Sequence, residues 1–181
     1  MKYGVQVMNI VNAAIEEGRS VDQKERELKT KYDREEITAK TYQTEREQME
    51  HTRNTIRNTA FQKLHDVAEA HSAAVAKWND YSGDQITEDA KLFDLPLAFG
   101  EERLQRLAEK HKDNPLMVAL ISQRAEKEGV NVNGLASAEV RRDNFKTYVE
   151  RAARAIDDPA SMSTAFFLEG HGVPETVNAD Y

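Results

Sequence analysis

The longest stretch of this chain without a helix breaker covers residues 19–82, between Gly18 and Gly83. Neither proline nor glycine occurs in it. Proline removes a backbone donor and glycine destabilises a helix interior, so their joint absence over this length favours long helices over a sheet. Because an α-helix rises about 1.5 Å per residue, about 40 uninterrupted residues would span about 60 Å. Long helices are therefore the first prediction.

An amphipathic helix is expected at the start of the chain, over about residues 3–17, where apolar side chains recur at helical spacing. Gly18 follows the last of them and is well placed to end this helix as a glycine cap. Ser20, with Gln23 three residues later, has the pattern of a capping box. We therefore expect a second helix to begin at Ser20 and to reach about Glu36.

Residues 20–59 are expected to form a protruding antiparallel hairpin, in which Thr38 caps a third helix that continues to about Trp78. The seam between its arms is thin, because apolar residues of the third helix are spaced by seven with polar residues between them. A partner chain is therefore expected to supply further apolar surface. The arms should pair Val21 and Leu28 with Met49 and Ile56, and the tip should hold Tyr32, Ile37 and Tyr42.

Residues 79–84 have the composition of a turn and separate the long helices from shorter, better-capped ones. The helix that begins after Ser137 should direct Val140, Phe145 and Tyr148 towards a core. The other expected N-caps are Thr87, Asn114 before Pro115, and Asp158 before Pro159. The helix that begins at Pro115 is expected to end at Gly129.

These patterns predict an all-α protein with an N-terminal helix and a long antiparallel helical hairpin, followed by a compact bundle of short helices. The predicted domains are residues 1–79, which hold the first helix and the hairpin, and residues 80–170, which form a compact acidic domain. Residues 171–181 show no periodicity and are expected to form an irregular tail.

The charge of the chain is unevenly distributed and excludes some partners. The net charge of -7 falls entirely within residues 80–181, because residues 1–79 hold as many basic as acidic groups. Neither half offers the basic surface that a nucleic-acid backbone requires, so no direct nucleic-acid binding is expected. No run approaches the roughly 18 apolar residues of a membrane span, and polar residues interrupt the N-terminal apolar run, so neither a transmembrane segment nor a signal peptide is expected.

No motif in the sequence predicts catalysis. The chain has no cysteine, and none of its five histidines forms the i,i+4 pair typical of a zinc-binding helix. Gly170, His171 and Gly172 form an unusual local sequence. A histidine between glycines is typical of a backbone that approaches a ligand closely, and the alternative is a helix cap followed by a flexible tail. We therefore expect no enzymatic activity, no metal and no cofactor. An enzyme would need a pocket near His111, His171 or the acidic pairs.

Two adjacent aromatic residues, Phe166 and Phe167, lie in the last predicted helix. One narrow helix face cannot bury both of them, so one is a candidate exposed anchor for a partner. The alternative is a fully buried terminal helix.

The segment from Tyr32 to Tyr42, YDREEITAKTY, joins the two charged arms of the hairpin, and a compact acidic helical region follows. This layout resembles the small acidic helical scaffolding and accessory structural proteins of tailed bacteriophages. The resemblance implies a role in a virion or procapsid, oligomerisation and no cofactor. It also implies a location in the cytoplasm of an infected bacterium or in the virion.

The leading hypothesis is a non-enzymatic structural or assembly protein that acts through helix-mediated contacts with itself or with other virion proteins. The alternative is a small acidic inhibitor or adaptor that docks residues 80–181 on a basic surface of a host or phage protein. The candidate partner-binding residues are the apolar residues of the hairpin and the two adjacent aromatic residues: Val21, Leu28, Tyr32, Tyr42, Met49, Ile56, Phe166 and Phe167.

Overall fold

A computed structural model describes residues 2–171, 173 and 175–178, and every regular element in them is helical. The predicted all-α class is therefore confirmed. The α-helices are α1 (Tyr3–Asp33), α2 (Ala39–Trp78), α3 (Glu101–His111), α4 (Pro115–Glu128), α5 (Ala138–Asp157) and α6 (Met162–Leu168). Short 3-10 helices cover Gly83–Gln85, Glu88–Asp94 and Glu175–Asn178.

The chain divides into two compact units. The first contains Tyr3–Ala68 and Thr147–Val173, and the second contains Glu69–Lys146 together with Lys2 and residues 175–178. These boundaries differ from the domains that composition suggests, because the end of α5 and all of α6 group with the N-terminal hairpin.

Helix α1 and the part of α2 up to Ala68 form the predicted antiparallel hairpin in the first unit. Arg53 Nη2 on α2 lies 2.8 Å from Asp22 Oδ1 on α1. At the tip, the rings of Tyr32 and Tyr42 stack with centroids 4.7 Å apart. These two contacts show that the arms run antiparallel. The Thr38 hydroxyl accepts a hydrogen bond of 3.2 Å from the Thr41 amide, which confirms the predicted N-cap of α2.

The prediction that Gly18 ends the first helix is wrong, because α1 continues through it to Asp33. Ala14, Val21 and Leu28 are all buried and are spaced by seven, so one stripe of packed side chains runs past the glycine. Packing on such a stripe outweighs the weak helix propensity of a single glycine. Ser20 is accordingly an interior residue of α1 rather than the start of a second helix.

The second unit has a core to which α3, α4 and the segments before them contribute. Asn114 caps α4, because its Oδ1 accepts a 3.0 Å hydrogen bond from the Met117 amide, and Gly129 ends the helix with a φ of 67°. Both predictions at α4 are confirmed. The buried members of this core are Phe99, Leu104, Leu107, Ala108, Met117, Ile121 and Ala125.

Thr87 precedes a 3-10 helix, but its hydroxyl does not cap it. The Thr87 Oγ1 instead donates to Met117 Sδ at 3.2 Å. The prediction that the Thr87 side chain caps this helix is therefore wrong. The segment that follows this 3-10 helix, residues 95–100, has no regular secondary structure. Near its end, the Phe99 amide donates a hydrogen bond of 2.8 Å to Glu128 Oε2.

The start of α5 lies in the second unit and departs from the predicted pattern. Ser137 caps the helix as expected, with its Oγ 3.3 Å from the Val140 amide. Val140 itself is 45% exposed, whereas Arg141 is only 3% exposed. Hydrogen bonds satisfy the buried guanidinium: the Arg141 Nε donates to the Ala136 carbonyl at 2.9 Å and its Nη2 to the Lys112 carbonyl at 2.8 Å. A buried charge is tolerated when hydrogen bonds satisfy it in this way.

Two predictions near the C-terminus are also corrected. Ser161, not Asp158, caps α6, since the Thr164 amide donates to Ser161 Oγ at 3.1 Å. The region expected to be an irregular tail contains the 3-10 helix Glu175–Asn178, in which Val177 is fully buried. Gly172 and the other tail residues 174 and 179–181 lie outside the described residues.

Candidate functional site

The candidate partner residues of the hairpin are largely packed within their own chain. Val21 and Leu28 are buried, and Met49, Ile56 and Tyr42 are half-buried. Only Tyr32 remains exposed, and its ring stacks on that of Tyr42. The side chains of Val21 and Leu28 are therefore covered within the chain itself.

Helix α6 buries one of the two adjacent aromatic residues and exposes the other. Phe167 is buried, and its ring lies 5.2 Å from that of Tyr148, whose pKa is raised by burial. Phe166 is 50% exposed and meets the His171 ring edge-on at 5.6 Å. One of the pair thus faces outwards, as their adjacency suggested.

A second apolar side chain accompanies Phe166 on the outside of α6. Met162 is 76% exposed and lies four residues earlier, so the two side chains share one helix face. Glu169, three residues after Phe166, falls on the same face. We call Met162, Phe166 and Glu169 the α6 face. The spacing of these residues was readable in the sequence, but their exposure was not, because it depends on which side of α6 packs.

The first unit also contains a groove of about 530 Å³ between α1, α2 and the turn from α5 to α6. Ala14, Ile15, Gly18 and Ile56 are among the residues that line it. Ile56 was predicted as a partner residue, and this groove is where the structure places it. Sequence reasoning missed the groove, since its walls come from segments about 140 residues apart in the chain.

Charged residues also line this groove, and most are already paired. Arg57 Nε lies 2.7 Å from Asp157 Oδ1. Arg53 bonds Asp22 and Glu25, and these hydrogen bonds raise the pKa of its guanidinium. Arg19 is exposed and makes no ion pair or hydrogen bond with any side chain that the structure describes. Arg19 is therefore a cation of the groove that is available to pair, and it lies beside apolar lining residues.

His111 and His171, which an enzyme site was expected to use, each contact a carboxylate of their own chain. Asp89 Oδ2 lies 2.7 Å from Lys110 Nζ and 2.6 Å from His111 Nε2. Hydrogen bonds from Lys110 and then from His111 lower the pKa of the Asp89 carboxyl. His171 Nε2 lies 3.1 Å from Glu169 Oε2. Within the described part of the chain, no group of three or more histidine, aspartate or glutamate side chains is placed to hold a metal ion.

None of the helices in the described ranges combines the length and the apolar character that crossing a membrane requires. Comparison with protein-family models, with curated proteins and with solved structures gives no match to this sequence or fold.

Proposed function

We propose that this protein is a non-enzymatic assembly protein that works through helix-mediated protein contacts. The α6 face carries this proposal. It exposes a phenylalanine and a methionine on a helix that has no charged residue from Met162 to Leu168, in a chain of which 31% is charged. The cores of protein interfaces are depleted of charge and enriched in aromatic residues and methionine.

A second copy of the same chain is the partner that this face fits best. Two copies that each carry a net charge of -7 repel one another wherever charged surfaces meet. The uncharged turns of α6 are a place where two copies can approach at little electrostatic cost. Burial of Phe166 and Met162 then supplies the favourable free energy, at about 25 cal/mol per Å² of apolar surface.

The resemblance in layout to phage scaffolding and accessory proteins supports a finer proposal. In that setting the protein would assemble with itself and with other virion proteins, in the cytoplasm of an infected bacterium or in the particle. The long paired helices of the hairpin and the short acidic helical region are the features that support it.

Sedimentation velocity at several protein concentrations tests the proposed function. The wild-type protein should sediment increasingly as an oligomer as concentration rises, and Phe166→Ser should sediment as a monomer. Val140→Ser is the matched control, because Val140 is also an apolar helix residue, 45% exposed, but lies outside the α6 face. A wild-type protein that stays monomeric throughout, or a Phe166→Ser variant that associates as well as wild type, would contradict the proposal.

A second candidate function follows from the concentration of the net charge of -7 in residues 80–181. An acidic adaptor would bind a basic protein surface, and its affinity would fall steeply as salt rises. Association through the α6 face should depend much less on salt, because burial of apolar surface supplies most of its free energy. Measuring the association at low and at high ionic strength therefore separates the two functions.

A further inference from the structure

We infer that the groove of the first unit receives the α6 face of a second copy of this chain. The inference rests on the proposed self-association through α6 and names the surface that α6 meets. An assembly of this kind needs two complementary surfaces on one molecule, and the groove and the α6 face both lie in the first unit.

The chemistry of the two surfaces is complementary in its apolar part. The groove, of about 530 Å³, is lined on α1 and α2 by Ala14, Ile15 and Ile56. Met162 and Phe166 project together from α6 with a single turn between them. A methionine and an aromatic ring on one helix face are typical anchors for an apolar groove of this size.

Gly18 gives an independent reason to treat the groove as a binding surface. It lies inside α1, where glycine destabilises a helix relative to alanine. No local feature requires a glycine there, since its φ is not positive and a Cβ atom built on it meets nothing within 4 Å. The missing side chain instead leaves the groove open, because Gly18 is one of its lining residues.

The charges of the two surfaces are also complementary. Of the arginines that line the groove, Arg53 and Arg57 already bond carboxylates of their own chain, whereas Arg19, beside Gly18, has no partner among the described side chains. The α6 face carries Glu169, whose side chain is 63% exposed and whose Oε1 has no hydrogen bond in the described structure. Arg19 of one copy can therefore pair with Glu169 of the other.

The two surfaces adjoin along the chain, which favours a closed pair of copies. Pro159 and Ala160 line the groove, and α6 begins two residues later, at Met162. When α6 of one copy enters the groove of the other, a two-fold axis can bring the second α6 to the first groove. In such an isologous contact, each copy places its α6 face in the groove of the other, so two copies form a closed dimer.

Filling the groove tests this inference without weakening the fold. Gly18→Leu improves the helix propensity of α1 and places a side chain where the groove is open. We expect it to raise the dimer dissociation constant, measured by analytical ultracentrifugation, roughly tenfold or more. Asn12→Leu is the matched control, since it adds the same side chain at an exposed position of α1 that does not line the groove, and it should leave the constant unchanged.

A charge exchange identifies the partner surface. Arg19→Glu and Glu169→Arg should each weaken the dimer about threefold to tenfold, and the double variant should regain most of the wild-type affinity. If Phe166→Ser abolishes association while Gly18→Leu and Arg19→Glu leave it intact, the groove inference is overturned and the proposed function stands. If the wild-type protein is monomeric at every concentration, the proposed self-association fails and this inference fails with it.

Discussion

The imidazole of His71 stacks face to face on the ring of Phe145, with the centroids 3.8 Å apart and the planes 8° from parallel. His71 is 1% exposed, and burial lowers its pKa from 6.5 to about 4, with smaller contributions from the charges of Arg141 and Arg142. All four residues belong to the second unit. The folded protein therefore holds this histidine neutral at pH values where an unfolded chain would protonate it.

A loss of stability at mildly acidic pH follows from this shift. The pKa of His71 is lower in the folded state, so the unfolded state takes up the proton first as pH falls. The contribution of His71 is fully present above pH 6.5 and is lost progressively down to about pH 4, on the order of 3 kcal/mol across that window. Urea unfolding at a series of pH values measures it.

His71→Phe is the variant that isolates this group, because it keeps an aromatic ring against Phe145 and removes the titration. Its free energy of unfolding should fall less than that of the wild type between pH 6.5 and pH 4. An unchanged pH dependence in the variant would show that His71 does not titrate as described.

Replacement of Arg141 should lower the free energy of unfolding strongly, because this arginine is buried rather than exposed. Arg141→Met leaves the Ala136 and Lys112 carbonyls without their donor and removes the guanidinium that lies 4.2 Å from the centroid of the Trp78 ring. We expect a loss of about 2–4 kcal/mol in the free energy of unfolding. Arg142→Met, at the exposed neighbouring position, should change it by less than about 0.5 kcal/mol, and equal effects would contradict this assignment.

Arg141 also shows where inference from sequence reaches its limit. Apolar periodicity predicted that Val140, Phe145 and Tyr148 face the core, and Phe145 and Tyr148 are indeed buried. In the first turn, however, Arg141 is buried in place of Val140, which is 45% exposed. Periodicity counts a charged residue as outward, and nothing local reveals the Ala136 and Lys112 carbonyls that satisfy it. Which residue of the first turn of α5 is buried is therefore decided by contacts that only the folded chain creates.

Local signals in the sequence predicted some helix ends correctly and failed at Gly18, Thr87 and Asp158. The caps Thr38, Asn114 and Ser137 and the glycine at 129 were all predictable, because each acts through backbone groups within a few residues.

The groove and the orientation of α6 were not predictable in this way. The groove combines residues from α1, α2 and the turn before α6, and no sequence window contains all of them. Adjacency of Phe166 and Phe167 predicted that one faces outwards, but the packing of Phe167 against Tyr148 decides which one.

The ion-paired Asp89 should contribute to the stability of the second unit. Asp89→Asn removes the carboxylate that lies 2.6 Å from His111 Nε2 and 2.7 Å from Lys110 Nζ, so we expect a loss of about 1–2 kcal/mol at pH 7. Because the folded state lowers the pKa of Asp89 below 3.8, this contribution is present above that pH and is lost as pH falls through the lower, folded-state value.

Chemical denaturation at pH 7 and at about pH 3 checks the Asp89 prediction, since the difference between wild type and variant should shrink at the lower pH. Asp94→Asn is the matched control, because Asp94 ends the same 3-10 helix and is exposed. A control variant as unstable as Asp89→Asn would assign the effect to the segment rather than to the ion pair.

Two glycines should respond to alanine in opposite directions. Gly18 lies within α1, and a Cβ atom there meets nothing within 4 Å, so Gly18→Ala should raise the free energy of unfolding by about 0.5–1 kcal/mol. Gly129 ends α4 with a φ of 67°, a conformation that L side chains rarely adopt, so Gly129→Ala should lower it by about 1 kcal/mol. Thermal and urea unfolding of both variants measure the two signs. A destabilised Gly18→Ala variant would mean that the glycine serves the fold itself, and that the groove beside it is a consequence of packing.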